Sequence, residues 1–425
     1  MPVDGRLLNP VFDNRPLSHT EDRCRACGSD RLHRFLDLGE VPLADRLLTS
    51  EWDCRAEPRF DLVVALCHEC ALVQLTETVR PEVLFADDYP YYSSVSRTVI
   101  DHAKANVDAR LAERRLDRSS LVVEIGSNDG YLLKNYVAAG VTVLGIDPAE
   151  GPAKAARAGR VDTMPEFFTS NLAHDVRQRR GPADIVHANN VLTHADDLRG
   201  FVTGIATLLK PDGTAVIEVP YLRDLVESVQ FDTIHHQHMC YFSLTALDNL
   251  LGAHGLFINR VERVSIHGGS LRVFAEKVED RDASVLDLLA EERAIGIASR
   301  AFFDDLADDA AVLRDSLVAM IEDLRSRGHS VAAYGAAAKG AALLNACGLG
   351  RHHINFVADI STHKQGLLMP GVHIPIRPPE ALFEERPEYT LLLAWNFADE
   401  ILAQQGAYRE AGGKFIVPLP QPRIV

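Results

Sequence analysis

The chain has 425 residues, a formal net charge of −16 and 47% hydrophobic residues. That length supports two or three domains with cores of their own, and the acidic balance argues against a large polyanionic partner such as nucleic acid. No run of about 18 apolar residues suggests a membrane-spanning helix, and the N-terminus MPVDGRLLNPVFDNRPLSHTEDR lacks the basic and apolar segments of a secretory signal, so a cytoplasmic protein without a membrane partner is expected. An acidic chain still admits a small anionic ligand at a local nest of amides.

Composition separates three segments, 1–78, 79–282 and 283–425. The first holds two cysteine pairs, Cys24/Cys27 in CRAC and Cys67/Cys70 in CHEC, and no long helical pattern. In a chain without an oxidising destination, paired CxxC units read as metal ligands before disulfides. Each knuckle puts two thiolates on one side of a metal, and two knuckles complete the tetrahedron that structural Zn²⁺ takes. Four cysteines leave no open position, so the expected role is structural. His33 and His68 are spare donors that this set does not need.

The second segment alternates apolar strands, Leu121–Ile125, Val141–Ile146, Asp184–Ala188 and Thr214–Val219, with helical stretches. That alternation predicts a parallel sheet covered on both faces. The first strand runs into Glu124, Gly126, Ser127, Asn128 and Gly130 before a helix opens, a nucleotide-type corner. Asp147, followed by Pro148, ends the next strand 23 residues after Glu124, where such folds place a carboxylate on ribose hydroxyls. The dinucleotide fingerprint GxGxxG is absent. An acidic strand end with this turn suits S-adenosylmethionine, whose sulfonium and α-amino group favour carboxylates. Asn189 ends the third strand at the ligand-binding edge. Upstream, Asp88–Ser96 is dense in aromatic and hydroxyl groups and reads either as a flap over the cofactor, bringing Tyr92 and Ser94 to it, or as a packed tyrosine-rich loop.

After the fourth strand comes His235-His236-Gln237-His238. Three histidines within four residues rarely converge on one metal unaided, whereas imidazole is the natural base at neutral pH. Beside a methyl donor, such a base points to deprotonation of a carbon or hydroxyl nucleophile. A second polar island holds His267 and Arg272.

Ala283–Arg327 reads as one long helical bridge without proline. Beyond it the alternation restarts, with strands expected at Val331–Tyr334, Ile354–Ala358, Thr390–Ala394 and Lys414–Val417. The turn Gly335–Gly340 joins a strand to a helix start, and its amides together with Lys339 form an anion site suited to a pyrophosphate. His363 and Lys364 are further candidates.

The stretches CRACG, LDLGEVPLADRLL, CHECALVQL, YPYYSSVS, EIGSNDGYLL, GIDP, ANNVLTHADDL, HGGSLRV, YGAAAKGAALLN and KQGLLMPGVHIPI, in this order along nearly the whole chain, resemble the zinc-containing C-methyltransferases of nucleotide-linked keto-deoxysugars. The resemblance implies a small zinc module, a class I methyltransferase Rossmann-like middle domain and a second Rossmann-like α/β domain. It implies S-adenosylmethionine in the middle domain and a sugar nucleotide, of the dTDP type, between the middle and C-terminal domains, in a monomer or weak homo-oligomer. A base would remove a proton next to a C4 ketone, and the enolate carbon would take the methyl group. On this basis His238 matches the base and His194 the second active-site histidine. His235 and Gln237 join them as catalytic candidates, and Arg272, His267, Lys339, Gly340, His363 and Lys364 fall to the sugar-nucleotide side. Members of the family carry Tyr-x-Glu-His where this chain has His235 and Gln237, which alters acid strength, reach and charge beside the base. Methyl transfer to an oxygen or nitrogen of another small acceptor is the competing expectation. A nucleic-acid methyltransferase is disfavoured by the acidic charge, and a scaffold without turnover by the presence of Glu124, Asp147, His194 and His238.

Overall fold

The computed structural model describes residues 16–49, 51–85 and 91–425; Asp88, Tyr89 and Pro90 of the expected flap lie outside them. The N-terminal segment builds a four-stranded antiparallel sheet in the order Cys240–Tyr241, Val73–Leu75, Arg59–Cys67, Leu32–Pro42. One of these strands comes from the residues just after His238, pairing Cys240 with Gln74 and Tyr241 with Val73. A small ribbon, Ser18–Thr20 against Glu77–Val79, completes the module.

The central sheet has seven strands, ordered Phe257–Val264, Ser270–Glu276, Leu209–Pro220, Ala183–Asn189, Leu121–Ile125, Thr142–Ile146, Thr163–Met164. Six run in one direction, and Ser270–Glu276 enters antiparallel between its two neighbours. Period-two alternation sends Val122, Ile185 and Val216 under the helix Arg97–Glu113, where Val99, Ala103 and Val107 meet them. Val123, Ile125, Val186, Ala188 and Ile217 face the opposite layer, built on Leu172, Val176, Phe201, Val202 and Ile205. Strands buried on both faces read as continuous apolar runs, which is why the sequence marked them.

The third sheet runs Ile376–Arg377, Val357–Ala358, Val331–Tyr334, Tyr389–Leu392, Lys414–Val417, Arg423–Ile424, parallel except for the last strand. The order reverses at Leu121–Ile125/Ala183–Asn189 in the central sheet and at Val331–Tyr334/Tyr389–Leu392 here. Such switch points open crevices for ligands beyond the carboxyl ends of the strands.

Two expectations are corrected. The bridge is two helices, Ala283–Ile295 and Leu306–Ser326, with a 3₁₀ turn Arg300–Phe303 between them. Gly296 ends the first helix in the left-handed conformation, φ 69°, the usual glycine stop. The strand expected at Ile354–Ala358 is only Val357–Ala358, because its neighbour Ile376–Arg377 offers two paired residues. Among the described residues no helix is long and apolar enough to cross a membrane.

Candidate active site and zinc centre

The four cysteines of the N-terminal module are free thiols whose sulfur atoms lie within 4.8 Å of one another. Cys24 Sγ is 3.4 Å from Cys70 Sγ, and Cys27 Sγ is 3.6 Å from Cys67 Sγ. A tetrahedron with Zn–S of about 2.3 Å has S···S near 3.8 Å, so the donors fit zinc. Each knuckle closes with an amide on the carbonyl of its first cysteine, Gly28 N–H to Cys24 at 2.8 Å and Ala71 N–H to Cys67 at 3.0 Å. His33 and His68 face one another and stand outside the four-sulfur cluster.

A cavity of about 570 Å³ lies where the three segments meet, within the about 300–1,000 Å³ usual for small-molecule sites. The N-terminal segment brings Asp45, the middle segment Phe85, Gly126, Asn128, Asp147, Pro148, Asn189 and Glu218, and the C-terminal segment Ala337, Lys339 and Lys364.

At the first switch point Asp147 accepts from Asn128 N–H at 2.8 Å and from Ala149 N–H at 2.9 Å. Burial pushes its carboxyl up to about 6, against these two amide bonds. Asn128 pins the segment before the helix, accepting from Ser93 N–H at 2.8 Å and donating to the Tyr91 carbonyl at 3.1 Å. The side-chain oxygens of Asn189 and Asn190, both on the cavity wall, are buried without a donor. Acceptors left without donors around a cavity suit a ligand that carries hydroxyl, amino and ammonium groups, and S-adenosylmethionine carries all three.

Several residues expected at the cofactor do other work. Glu124 is fully buried beneath the turn, its carboxyl held well above the usual range by burial and then by Asp147, and does not line the cavity. Ser127 turns its hydroxyl against Gly145. At Gly126, φ +68°, a Cβ would come within 2.9 Å of Val191, and at Gly130, φ +78°, within 2.9 Å of Val161. Gly130 therefore serves close packing, while Gly126 also borders the cavity. Ser94 is exposed and bonds Asp129 through its amide and hydroxyl. Tyr92 stacks on His363, ring centroids 4.3 Å apart, so both join the middle and C-terminal segments outside the cavity wall.

Histidines also line the cavity. His194, His238 and His235 form a column, with ring centroids 5.3 Å and 4.1 Å apart. His238 Nδ1 donates to the Thr233 carbonyl at 2.9 Å. A carbonyl only accepts, so the proton sits on Nδ1 and Nε2 keeps its lone pair. His235 Nδ1 lies 2.9 Å from Gln237 Oε1. Burial holds the column neutral: His194 falls to about 4, His235 to about 3, and His238 well below the ordinary histidine value. His236 leaves the group, lying 3.2 Å from the Asp61 carbonyl.

At the second switch point Lys339 donates to the His267 carbonyl at 2.9 Å and Lys364 to the Ala336 carbonyl at 2.7 Å. Both lysines line the cavity, as do His267 and the start of the ten-residue helix Ala338–Cys347. Burial lowers Lys339, with Asp232 opposing. Gly340 is a packing residue, since a Cβ there would lie 2.7 Å from that of Leu393.

Arg272 does not reach the cavity. Its Nε donates to Glu218 at 3.0 Å and its Nη1 to Glu262 at 3.2 Å. What the sequence reading missed is the partner: Glu218 lines the cavity, with His102 Nε2 at 2.9 and 3.0 Å from its two oxygens. Burial would raise Glu218, but the His102 bond and the His102 and Arg272 charges hold it below the usual carboxylate range. The signal was available for Glu218, which ends the fourth strand as Asn189 ends the third, but His102 sits in a helix without a motif.

Family models match along the chain: a zinc binding domain over residues 24–85, a methyltransferase domain over 97–259, and a C-methyltransferase C-terminal domain over 265–420. The chain is 40% identical over 408 residues to C-methyltransferase NovU of Streptomyces niveus, covering 95% of this chain and 97% of that protein. This chain belongs to the C-methyltransferase family. A lesser likeness, 27% over 155 residues, links it to the mitochondrial ubiquinone biosynthesis O-methyltransferase of Bos taurus, over 33% of this chain and 42% of that one. As a C-methyltransferase the chain uses S-adenosylmethionine as donor. Its zinc binding domain spans both knuckles, and the four sulfur donors converge inside it.

Proposed function

We propose that this C-methyltransferase acts on a nucleotide-linked 4-keto-deoxysugar, methylating a carbon beside the ketone through an enolate. The observation that carries the reading is the Thr233 carbonyl on His238 Nδ1, which leaves Nε2 a free base in a cavity that Asp147 and Lys339 also line. Carbon is a poor acid, and a neighbouring ketone is the usual means of making its proton removable by imidazole. A diphosphate suits the end formed by Lys339, Lys364 and the start of the helix Ala338–Cys347.

Asp147 and Asn128 would hold the ribose of S-adenosylmethionine, with Asn189 and Asn190 offering acceptors further along the cavity. When bound, that cofactor supplies an electrophilic methyl group. His238 takes the carbon-bound proton on Nε2, and the ring stays aligned because its Nδ1–H remains on Thr233. His194, neutral at physiological pH, stacks on the base and excludes water from that side. The four cysteines act at a distance, holding the sheet edge that anchors Cys240 and Tyr241.

The test is deuterium wash-in. The zinc-loaded protein, with S-adenosylhomocysteine to block transfer, is incubated in D2O with thymidine-diphosphate 4-keto-6-deoxyhexoses and followed by NMR. Exchange at one ring carbon supports the reading and identifies the position. Tight cofactor binding without exchange on any keto sugar overturns it in favour of an oxygen or nitrogen acceptor.

A further inference from the structure

We infer that Gln237 is a catalytic residue, donating from its carboxamide nitrogen to the ketone oxygen as that oxygen becomes an enolate, and that His235 is a positioning residue that holds the carboxamide in the donating orientation. This rests on the enolate reading above.

Gln237 is almost fully buried yet lines the cavity beside the base. Its Oε1 faces His235 Nδ1 at 2.9 Å. With the acceptor end committed to an imidazole N–H, the NH2 end is what the side chain offers to a ligand. His235 is itself fixed, its ring 4.1 Å from that of His238 and its carbonyl accepting from His238 N–H at 2.9 Å. Base and amide therefore project from one short segment. That segment is tied down by Met239 N–H on the Thr193 carbonyl and by the strand Cys240–Tyr241.

Removing the proton breaks a C–H bond, gives the proton to His238 Nε2 and moves the electron pair onto the ketone oxygen through a new C=C bond. When the carbon takes the methyl group from the sulfonium, the pair returns and the C=O bond reforms. Between those moments the oxygen carries a full negative charge in a desolvated site. Nearby groups supply little to meet it: burial keeps His194, His235 and His238 neutral, and the Lys339 ammonium is on the His267 carbonyl. A preorganised neutral donor is worth about 10²–10³ in rate at such an oxygen. A glutamate at this position would face the same oxygen with a like charge unless protonated. In this chain glutamine supplies the donor without the charge.

The experiment compares wild type, Gln237→Glu and Gln237→Ala, full-length and zinc-loaded, with S-adenosylhomocysteine bound, using a thymidine-diphosphate 4-keto-6-deoxyhexose at saturation in D2O. At about pH 8 both variants should exchange about 10²-fold more slowly than wild type while binding S-adenosylhomocysteine as well. Acidification towards about pH 5 should restore Gln237→Glu relative to wild type, as its carboxyl regains a proton, and leave Gln237→Ala slow. His235→Phe should lower the exchange rate without raising the KM for the sugar nucleotide. Exchange by Gln237→Glu within about threefold of wild type across the pH range overturns the inference alone. Failure of wild type to exchange any keto sugar removes the enolate reading, and the inference with it.

Discussion

The carbonyl of Met239 accepts the amide of Leu75 at 2.9 Å, one residue beyond His238. Leu75 belongs to the short strand Val73–Leu75, which begins three residues after the zinc-module cysteine Cys70, and Asn249 adds a bond to the Cys70 carbonyl at 3.1 Å. The cysteine cluster and His238, the proposed base, thus share one hydrogen-bonded strip. Stripping zinc with a chelator, or Cys67→Ser, should abolish turnover while much of the S-adenosylmethionine affinity remains, because the acceptors proposed for the cofactor hang from the central sheet. Turnover and calorimetric binding, measured on the same sample, check this. Full activity in metal-free protein would detach the module from the base.

His238→Asn keeps a polar side chain near Thr233 but removes the base. Turnover should fall by about 10²–10⁴-fold, the range for a lost general base. S-adenosylmethionine affinity should change little, since Asp147 and Asn128, proposed to hold its ribose, bond each other and not the His235–His238 segment. Retained turnover in this variant would take the role of base away from His238.

Much of this arrangement was legible in the sequence, for identifiable reasons. Central strands such as Leu121–Ile125 are buried on both faces and so leave apolar runs, and the paired cysteines carry their ligand geometry in their spacing. Side-chain destinations were harder to read. Ser127, Gly130 and Gly340 have the composition of ligand contacts, but a turn looks the same whether a ligand or Val161 approaches it. Arg272 stood out as a charge in a polar island, but its partner Glu218 is 54 residues away. The Tyr92–His363 stack joins loops of the middle and C-terminal segments, whose relative placement no local pattern encodes.

Two pH effects should separate. Burial depresses His238 far below the ordinary histidine value, so its unprotonated form persists in mild acid. The acid limb of the deuterium-exchange rate should therefore lie well below pH ~6.5. Asp147 is raised to about 6, and the ionised carboxylate is the better acceptor for ribose hydroxyls. The KM for S-adenosylmethionine should therefore rise as pH falls through about 6, before the exchange rate at saturating cofactor declines. A pH series of both parameters tests this, and coincident limbs would contradict it.

Glu218→Gln should destabilise the fold, because Arg272 keeps its buried charge and loses its main carboxylate. Loss of one partner of a buried pair costs about 3–5 kcal/mol, and the remaining contact with Glu262 places this case at the lower end. The folded-state pKa of Glu218 is depressed, so its contribution is present above the ordinary glutamate value of about 4.3 and is lost as pH falls through the folded value. Denaturation curves of wild type and variant should be well separated at neutral pH and converge in acid. A constant gap would mean that the effect is packing.

Glu400, on the helix Ala398–Gln404 of the C-terminal segment, clasps the start of the helix Arg97–Glu113 of the middle segment. Its carboxylate accepts from Ser96 Oγ at 3.0 Å, from the amides of Arg97 and Thr98 at 3.1 Å each, and from Thr98 Oγ1 at 2.5 Å. Amides at a helix start otherwise lack partners, and a negative charge there is favoured by the helix dipole. The capped helix carries His102 and Asn106 into the cavity wall, while Glu400 is on the segment that carries Asn396 and Phe397. Glu400→Ala removes a cap worth about 0.5–2 kcal/mol, and because that cap spans two segments the loss falls on their contact beside the cavity. The KM for the sugar nucleotide should rise by up to about tenfold, with little change in kcat. Glu400→Gln, which still accepts hydrogen bonds but carries no charge, should fall between. Steady-state kinetics with a melting curve for each variant make the check. A lowered Tm with an unchanged KM would mean that Glu400 stabilises one helix and does not hold that contact.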